Sequence, residues 1–345
     1  MGKTKIEWAS DVWNPIHGCS RVSPGCRHCY AEGMAARFSA PGQWGEGLAV
    51  IKNGEAHWTG KITFDAEKLL EPLHWKRPRR IFVNSVSDLF HEKVEYEWID
   101  KIFSIMALCP QHQFLILTKR PERMLKYMTE LRHEGPSSGH IALAYGRPAR
   151  FFPQAWKLLP LNKEGLMPWP LPNVWLGVSV ENQKAAEERL PILAQIPCRV
   201  RFASCEPLLG PLDITRWIKK EKIMEAGGSW TSELVDWIIV GGESGLDARP
   251  MLSNWADSIR AQCANAGTAF FFKQNGEWVD AGHSEFGQLP TAHYKYLHSD
   301  GTEWSGPIPQ EEDADVNTVK RVGKKRSGDT LYGKVYHEYP KALGE

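Results

Sequence analysis

The sequence predicts an α/β fold: a parallel (β/α) barrel, partial or irregular, with a lid-like insertion and an irregular C-terminal extension. Three observations predict it. Short, nearly continuous apolar runs recur along the chain, as expected of parallel strands covered on both faces. Amphipathic helical stretches separate them, the repeat that gives a barrel or a doubly wound sheet. Polar side chains follow almost every run. The barrel is expected over residues 1–278, with an insertion at 133–172, and the extension over 279–345.

In chain order, a first strand around Val12 to Ile16 leads into a cysteine-bearing loop and a helix from Tyr30 to Phe38. Six runs follow: Ile81 to Ser85, Phe114 to Thr118, Val174 to Val180, Val200 to Ser204, Trp237 to Gly242 and Ala269 to Lys273. Helical stretches include Glu122 to Arg132, Gln183 to Gln195 and Asn254 to Ala266. The insertion is rich in Pro, Gly and Ser, with a short helical candidate from Phe151 to Leu159. Residues 279–316 read as polar and irregular. A basic cluster, Lys320 to Arg326, lies near the C-terminus; such a run is an ordinary solvated segment or an anion contact.

The residues after the strands carry the candidate chemistry. Ser85, Ser87 and Asp88 follow the second strand, Lys119 and Arg120 the third, and Glu181 and Asn182 come after Ser179 at the end of the fourth. Cys205 and Glu206 follow the fifth strand and Glu243 the sixth, while Lys273 ends the seventh. In a parallel barrel these ends share one face, where such folds place their active sites.

Cys19, Cys26 and Cys29 form the densest motif, a thiol, a loop with a Pro24-Gly25 turn, and a C-x-x-C against a helix start. Thiolates select soft metals, which points to an iron–sulfur cluster or to zinc. Three thiols suit a [4Fe–4S] cluster with one iron left for chemistry. The alternatives are a closed zinc site recruiting His17 or His28, and cysteines that bind no metal. The odd total of seven cysteines does not suggest a disulfide framework, and with no secretory leader pattern or long apolar run the chain reads as cytoplasmic. The formal net charge of +1 gives no global field for nucleic acid or membrane. Most of the 15 tryptophans sit in apolar runs and are expected in the core.

The strand, three-cysteine loop, helix and further βα units resemble the radical S-adenosylmethionine (SAM) superfamily. The strings KIEWASDVWNPIHGCSRVSPGCRHCYA, FVNSVSDLFHEKV, LTKRPERM, LGVSVEN, ASCEPLLGPLD, VGGESG, FFKQNGEW and VGKKRSGDTLYG more specifically resemble a phage-associated three-cysteine family, called after phage gene products thirty-seven and sixty-eight. The resemblance covers most of the chain, with a distant similarity to spore photoproduct lyase-like proteins. Six residues separate Cys19 from Cys26, where the superfamily's common motif has three, and Gly241-Gly242-Glu243 lies too late to serve as its glycine-glycine-glutamate motif.

The resemblance implies a [4Fe–4S] cluster on the three cysteines that binds SAM, reductive cleavage of SAM, and a reduced flavodoxin or ferredoxin as electron donor. It implies cofactor contacts from His28, Ser85, Ser87, Lys119, Ser179, Glu181 and Asn182. Asp88, Arg120, Glu206, Glu243 and Lys273 would then lie nearer the substrate, and Cys205 is a candidate hydrogen-atom donor. Asp88, Glu206 and Cys205 are the catalytic candidates. A nucleic-acid base is one substrate class it suggests; the competing reading is a zinc-stabilised, non-enzymatic binding protein of phage or prophage origin.

Overall fold

A computed structural model of the chain describes residues 4, 6–130, 169–218, 222–225, 228–231, 235–282, 289–290, 293–310 and 313–340. The insertion expected over 133–172, with its short helix, lies almost wholly outside these residues. The chain divides into two compact units, one of residues 1–178 and 195–201, the other of residues 179–194 and 202–345. No described helix is long and apolar enough to cross a membrane.

Seven strands make one sheet: β1 (Asp11–Trp13), β2 (Arg80–Val83), β3 (Gln113–Thr118), β4 (Val174–Ser179), β5 (Arg201–Cys205), β6 (Trp237–Gly241) and β7 (Ala269–Gln274). Their hydrogen-bonded order is the chain order, with β1 and β7 at the edges. Each pairing of defined register is parallel. An order without reversal is barrel-type winding, since a doubly wound sheet reverses at a switch point. The fold is therefore mixed α/β with a parallel sheet of the kind a partial barrel requires.

In the first unit the cysteine loop leads into α1 (Tyr30–Arg37), and α2 (Tyr96–Leu108) and α3 (Pro121–Glu130) follow β2 and β3. Strand residues Trp13, Ile81, Phe114 and Ile116 are fully buried, as are Ile102 and Met106 of α2. Each such side chain contributes about 1.5–3 kcal/mol. The run expected at Val12 to Ile16 breaks at Asn14-Pro15, and Ile16–His17 instead pairs antiparallel with Thr63–Phe64. A hairpin, Ala49–Lys52 with Glu55–Trp58, turns on Asn53-Gly54, both at positive φ (51° and 81°), the geometry of a type I′ turn.

In the second unit α4 (Gln183–Ala194) precedes β5, and α5 (Ser253–Ala266) links β6 to β7, ending at Gly267 in the left-handed region. The outer edge of β7 is covered by the tail: Phe272 N–H donates to Tyr336 O, and Glu338 N–H to Phe270 O. The C-terminal extension is more regular than its polar sequence suggests. There β8 (Trp278–Asp280), β9 (Tyr294–His298) and β10 (Val316–Arg321) form an antiparallel sheet ordered β8-β10-β9. Among the described residues eight tryptophans, including Trp13, Trp237 and Trp278, are buried, in line with a core role.

Candidate functional site

The three-cysteine loop is held at both ends. On its entry side, Arg120 Nη2 donates to the Ser20 carbonyl (3.2 Å) and to Ser20 Oγ (2.9 Å), next to Cys19. His91 Nε2 lies 2.9 Å from the same hydroxyl. On its exit side, Arg21 forks onto Glu32 of α1 (2.9 and 2.7 Å), and Glu32 also accepts the Trp58 N–H of the hairpin. Tyr30 Oη donates to Ser85 O, and Gly18 bridges Ser87. The loop is thus clamped against the ends of β2 and β3.

Asp88 is the hub of that clamp. Its carboxylate accepts from Phe90 N (3.0 Å), Thr118 Oγ1 (2.7 Å), Lys119 N (3.1 Å) and Arg120 Nη1 (3.0 Å), and it is buried. Arg120 completes its set with Glu92 at 3.0 Å. Both charges are consumed in bracing, so neither the catalytic role expected of Asp88 nor the substrate contact expected of Arg120 is visible in their contacts. Ser85 Oγ donates to Asn14 Oδ1 and Ser87 Oγ to Ile16 O, so both serines fasten the loop. Lys119 differs. Its half-buried ammonium has no ion-pair partner among the described residues, and it favours the Cys29 thiolate.

Cys19, Cys26 and Cys29 are half-buried, and none of the described cysteines forms a disulfide bond. Burial pushes the Cys19 thiol up to about 12, with Asp88 adding to the rise and Arg120 opposing it. Burial likewise raises Cys29, while the N–H groups of Glu32 and Ala31 at the start of α1, and Lys119, pull it back. Cys19 and Cys29 feel each other's charge, as do Cys29 and Cys26, so the three share one electrostatic environment. Among the described residues no three His, Cys, Asp or Glu side chains are already gathered at metal-binding distance. The donor set fits a soft metal, whose charge would offset the cost of ionising buried thiols. His28 is half-buried between Cys26 and Cys29, with no hydrogen-bond partner among the described residues.

The second unit carries its own strand-end residues. Glu206 Oε2 accepts from Ser204 Oγ at 3.0 Å, and Lys273 Nζ stands 2.8 Å from Oε1 as an ion pair, off the hydrogen-bond direction. A Cβ on Gly241 would come within 2.8 Å of that carboxylate, and one on Gly242 within 2.0 Å of Asn275 O. Glycine is needed at 242, where the neighbour is backbone; at 241 the Glu206 side chain would have to move. Glu243 accepts the Arg249 guanidinium at 2.8 and 2.6 Å, and fully buried Glu181 binds Arg189 at 2.8 Å. Asn182 Oδ1 accepts from Ala185 N–H at the start of α4, and Ser179 O accepts from Arg189. The Cys205 thiol is fully buried and raised well above its ordinary value by burial, with Cys263 adding to it. These residues are placed as expected at strand ends, but each except Ser179's hydroxyl and Cys205 is engaged within its own unit.

Sequence reasoning missed Ser20, Arg21, Glu32, His91, Glu92, Arg189 and Arg249. Only Arg21, inside the cysteine loop, and Glu32, just after it, carried a local signal.

A family model described as a protein of unknown function (DUF5131) matches residues 3–340, and the chain belongs to that family. No curated protein and no solved structure matches it.

Proposed function

We propose that this DUF5131 protein is a cytoplasmic iron–sulfur enzyme of radical-SAM type, with Cys19, Cys26 and Cys29 as the protein ligands of a [4Fe–4S] cluster. The supporting observation is the clamp. A loop bearing three thiols is fixed by Arg120, His91 and the Arg21–Glu32 pair, which is what a metal centre needs of the shell behind its ligands. Such a cluster, when bound, supplies an electron to SAM, a redox chemistry that no side chain provides. The chain's own residues do the rest. Arg120 and His91 hold Ser20 and therefore Cys19; Lys119 offers an unpaired cation beside Cys29, suited to a carboxylate such as that of SAM. Asp88 keeps Arg120 and the Lys119 backbone in place. A nucleic-acid base is the substrate class that the sequence resemblance favours, with a flavodoxin or ferredoxin as electron donor.

A closed Cys3His zinc site is the second reading, favoured by the unpartnered ring of His28 between two of the cysteines. One experiment separates the two. Anaerobically reconstituted protein is expected to carry one cluster, with about four iron and four sulfide per chain, a paramagnetic signal on reduction, and slow release of 5′-deoxyadenosine from SAM. Cys26→Ala is expected to lose the iron and keep the fold. A single tightly held zinc with no capacity for iron would establish the second reading instead.

A further inference from the structure

The C-terminal segment 320–334 carries six Lys and Arg residues against a single Asp in a chain of net charge +1. A solvated basic tail would dangle; this one is built into the second unit. The N–H groups of Val322 and Gly323 both donate to Glu277 O, at 3.0 and 3.1 Å. Buried Asn275 uses its side-chain amide to bind the carbonyls of Ser327 (2.9 Å) and Thr330 (3.0 Å), and Ser327 Oγ donates to Gly276 O. Those bonds hold Lys324, Lys325 and Arg326 in one turn (Lys324–Ser327) with all three exposed.

The same amide sets the start of a small hairpin, Thr330–Leu331 with Lys334–Val335, whose two-residue turn is Tyr332-Gly333. Both turn residues have positive φ, 49° and 75°. The first unit makes the equivalent turn with Asn53-Gly54, the residues such turns prefer. Tyrosine has no conformational reason to stand there, since a side chain at positive φ is sterically strained. The residue is nonetheless 56% exposed, with exposed Lys334 two residues on. Strain retained at an exposed aromatic, beside fixed cations, is the pattern of a contact site. Burial, then Asp280 and Asp257, raise the Tyr332 phenol, so the ring is neutral at physiological pH.

We propose that this segment is a contact site for single-stranded nucleic acid, in which Lys324, Lys325, Arg326 and Lys334 meet phosphates and Tyr332 stacks on a base. Because Ser327 O and Thr330 O share one amide group, the cations and the ring lie within about 20 Å of one another by chain geometry, a span of a few nucleotides. A lone exposed ring requires a base whose face is free, which a duplex does not offer. An acidic protein would be met by charge alone and gives no role to the strained tyrosine. The inference does not depend on the cysteine centre.

The test uses the full-length protein as purified, without cluster loading, and anisotropy of labelled 20-nucleotide single strands and of the matching duplex over a salt series. Wild-type protein is expected to bind the single strand more tightly than the duplex, with a dissociation constant below about 10 μM at low salt. Lys324→Ala with Lys325→Ala and Arg326→Ala should lower the slope of log K against log salt by about 2. Tyr332→Gly places the preferred residue in the turn, so it should keep or raise the thermal midpoint while weakening single-strand binding by roughly 5- to 150-fold; Tyr332→Phe should bind as wild type. No binding by wild type, equal affinity for duplex and single strand, equal binding of poly-glutamate, or unchanged affinity in the glycine variant would each overturn the proposal. None of these results bears on iron content, which is read separately.

Discussion

The strand ends of the first unit and those of the second are both lined with charge, yet they use it differently. In the second unit the charges pair one acid to one base: Glu181 with Arg189, Glu206 with Lys273 and Glu243 with Arg249. Each pair ties a strand end to its own helix, loop or neighbouring strand. In the first unit Asp88, Glu92, Arg120, His91 and Ser20 form one connected network, and what the network grips is the loop that bears the three thiols. Lys119 is left over. Paired charges stabilise a fold, whereas a network that braces the thiol-bearing loop, beside a lysine with no ion-pair partner among the described residues, is what the proposed cluster would need. The proposed chemistry therefore belongs to the first unit.

The largest expected effect tests that assignment directly. Arg120→Met removes the cation of an ion pair whose side chains are 11% and 8% exposed, and Arg189→Met removes that of Glu181, at 7% and 0%. Each should cost on the order of 3 kcal/mol, because a buried carboxylate loses the cation that offsets its burial. Stability therefore does not separate the two variants. Iron content after reconstitution should: Arg120→Met is expected to lose most of it and Arg189→Met to retain it. Equal retention by both folded variants would dissolve the distinction between network and pairs.

The contrast also marks what the sequence could show. The sheet was legible because both faces of its strands are covered, so Phe114 to Thr118 or Trp237 to Gly241 stand out as apolar runs. Strand Tyr294–His298 was not, because only Leu297 is buried and the rest alternate among polar residues. The 49–58 hairpin did carry a signal in Asn53-Gly54, flanked by short strands. For the site, cysteine spacing identified the thiols, and the polar strand ends identified Asp88 and Arg120. Their function as a brace was illegible, since the pair is 32 residues apart and its third partner, Ser20, is 100 from Arg120. Likewise no local pattern links Glu243 to Arg249 or Glu181 to Arg189, where the geometry comes from the turn between strand and helix.

A smaller effect separates the units by pH. The first unit holds three buried histidines, His17, His91 and His112, each lowered from 6.5 chiefly by burial. Their unfolded forms bind protons below about 6.5 that the folded forms refuse, so stability falls as pH drops from there through the folded values. In the second unit the shifted acids are Asp213, Asp300 and Asp315, lowered from 3.8 by hydrogen bonds from Thr215, Thr302 and Ser299. Their contribution is complete above about 3.8 and is lost only as pH falls further. Hydrogen exchange followed peptide by peptide between pH 7 and pH 4.5 should show protection declining first in residues 6–130. Parallel loss in both units would mean that the histidines do not set the acid response.

The smallest effect is at Lys119, where structure and chemistry can be told apart. Its ammonium has no ion-pair partner among the described residues, and the brace uses only its backbone N–H, which any residue but proline supplies. Lys119→Met should therefore leave stability within about 0.5 kcal/mol of wild type. The side chain's influence is on Cys29, whose thiolate it favours against the cost of burial. In metal-free protein at fixed pH, alkylation of Cys29 should slow in the variant by less than about tenfold, the equivalent of one pKa unit, because only the thiolate reacts. Cys19, whose opposing cation is Arg120, should react at its wild-type rate. If instead the thermal midpoint falls by several degrees and both cysteines react faster, Lys119 belongs to the brace, and the unpaired cation that distinguishes the first unit from the second is not there.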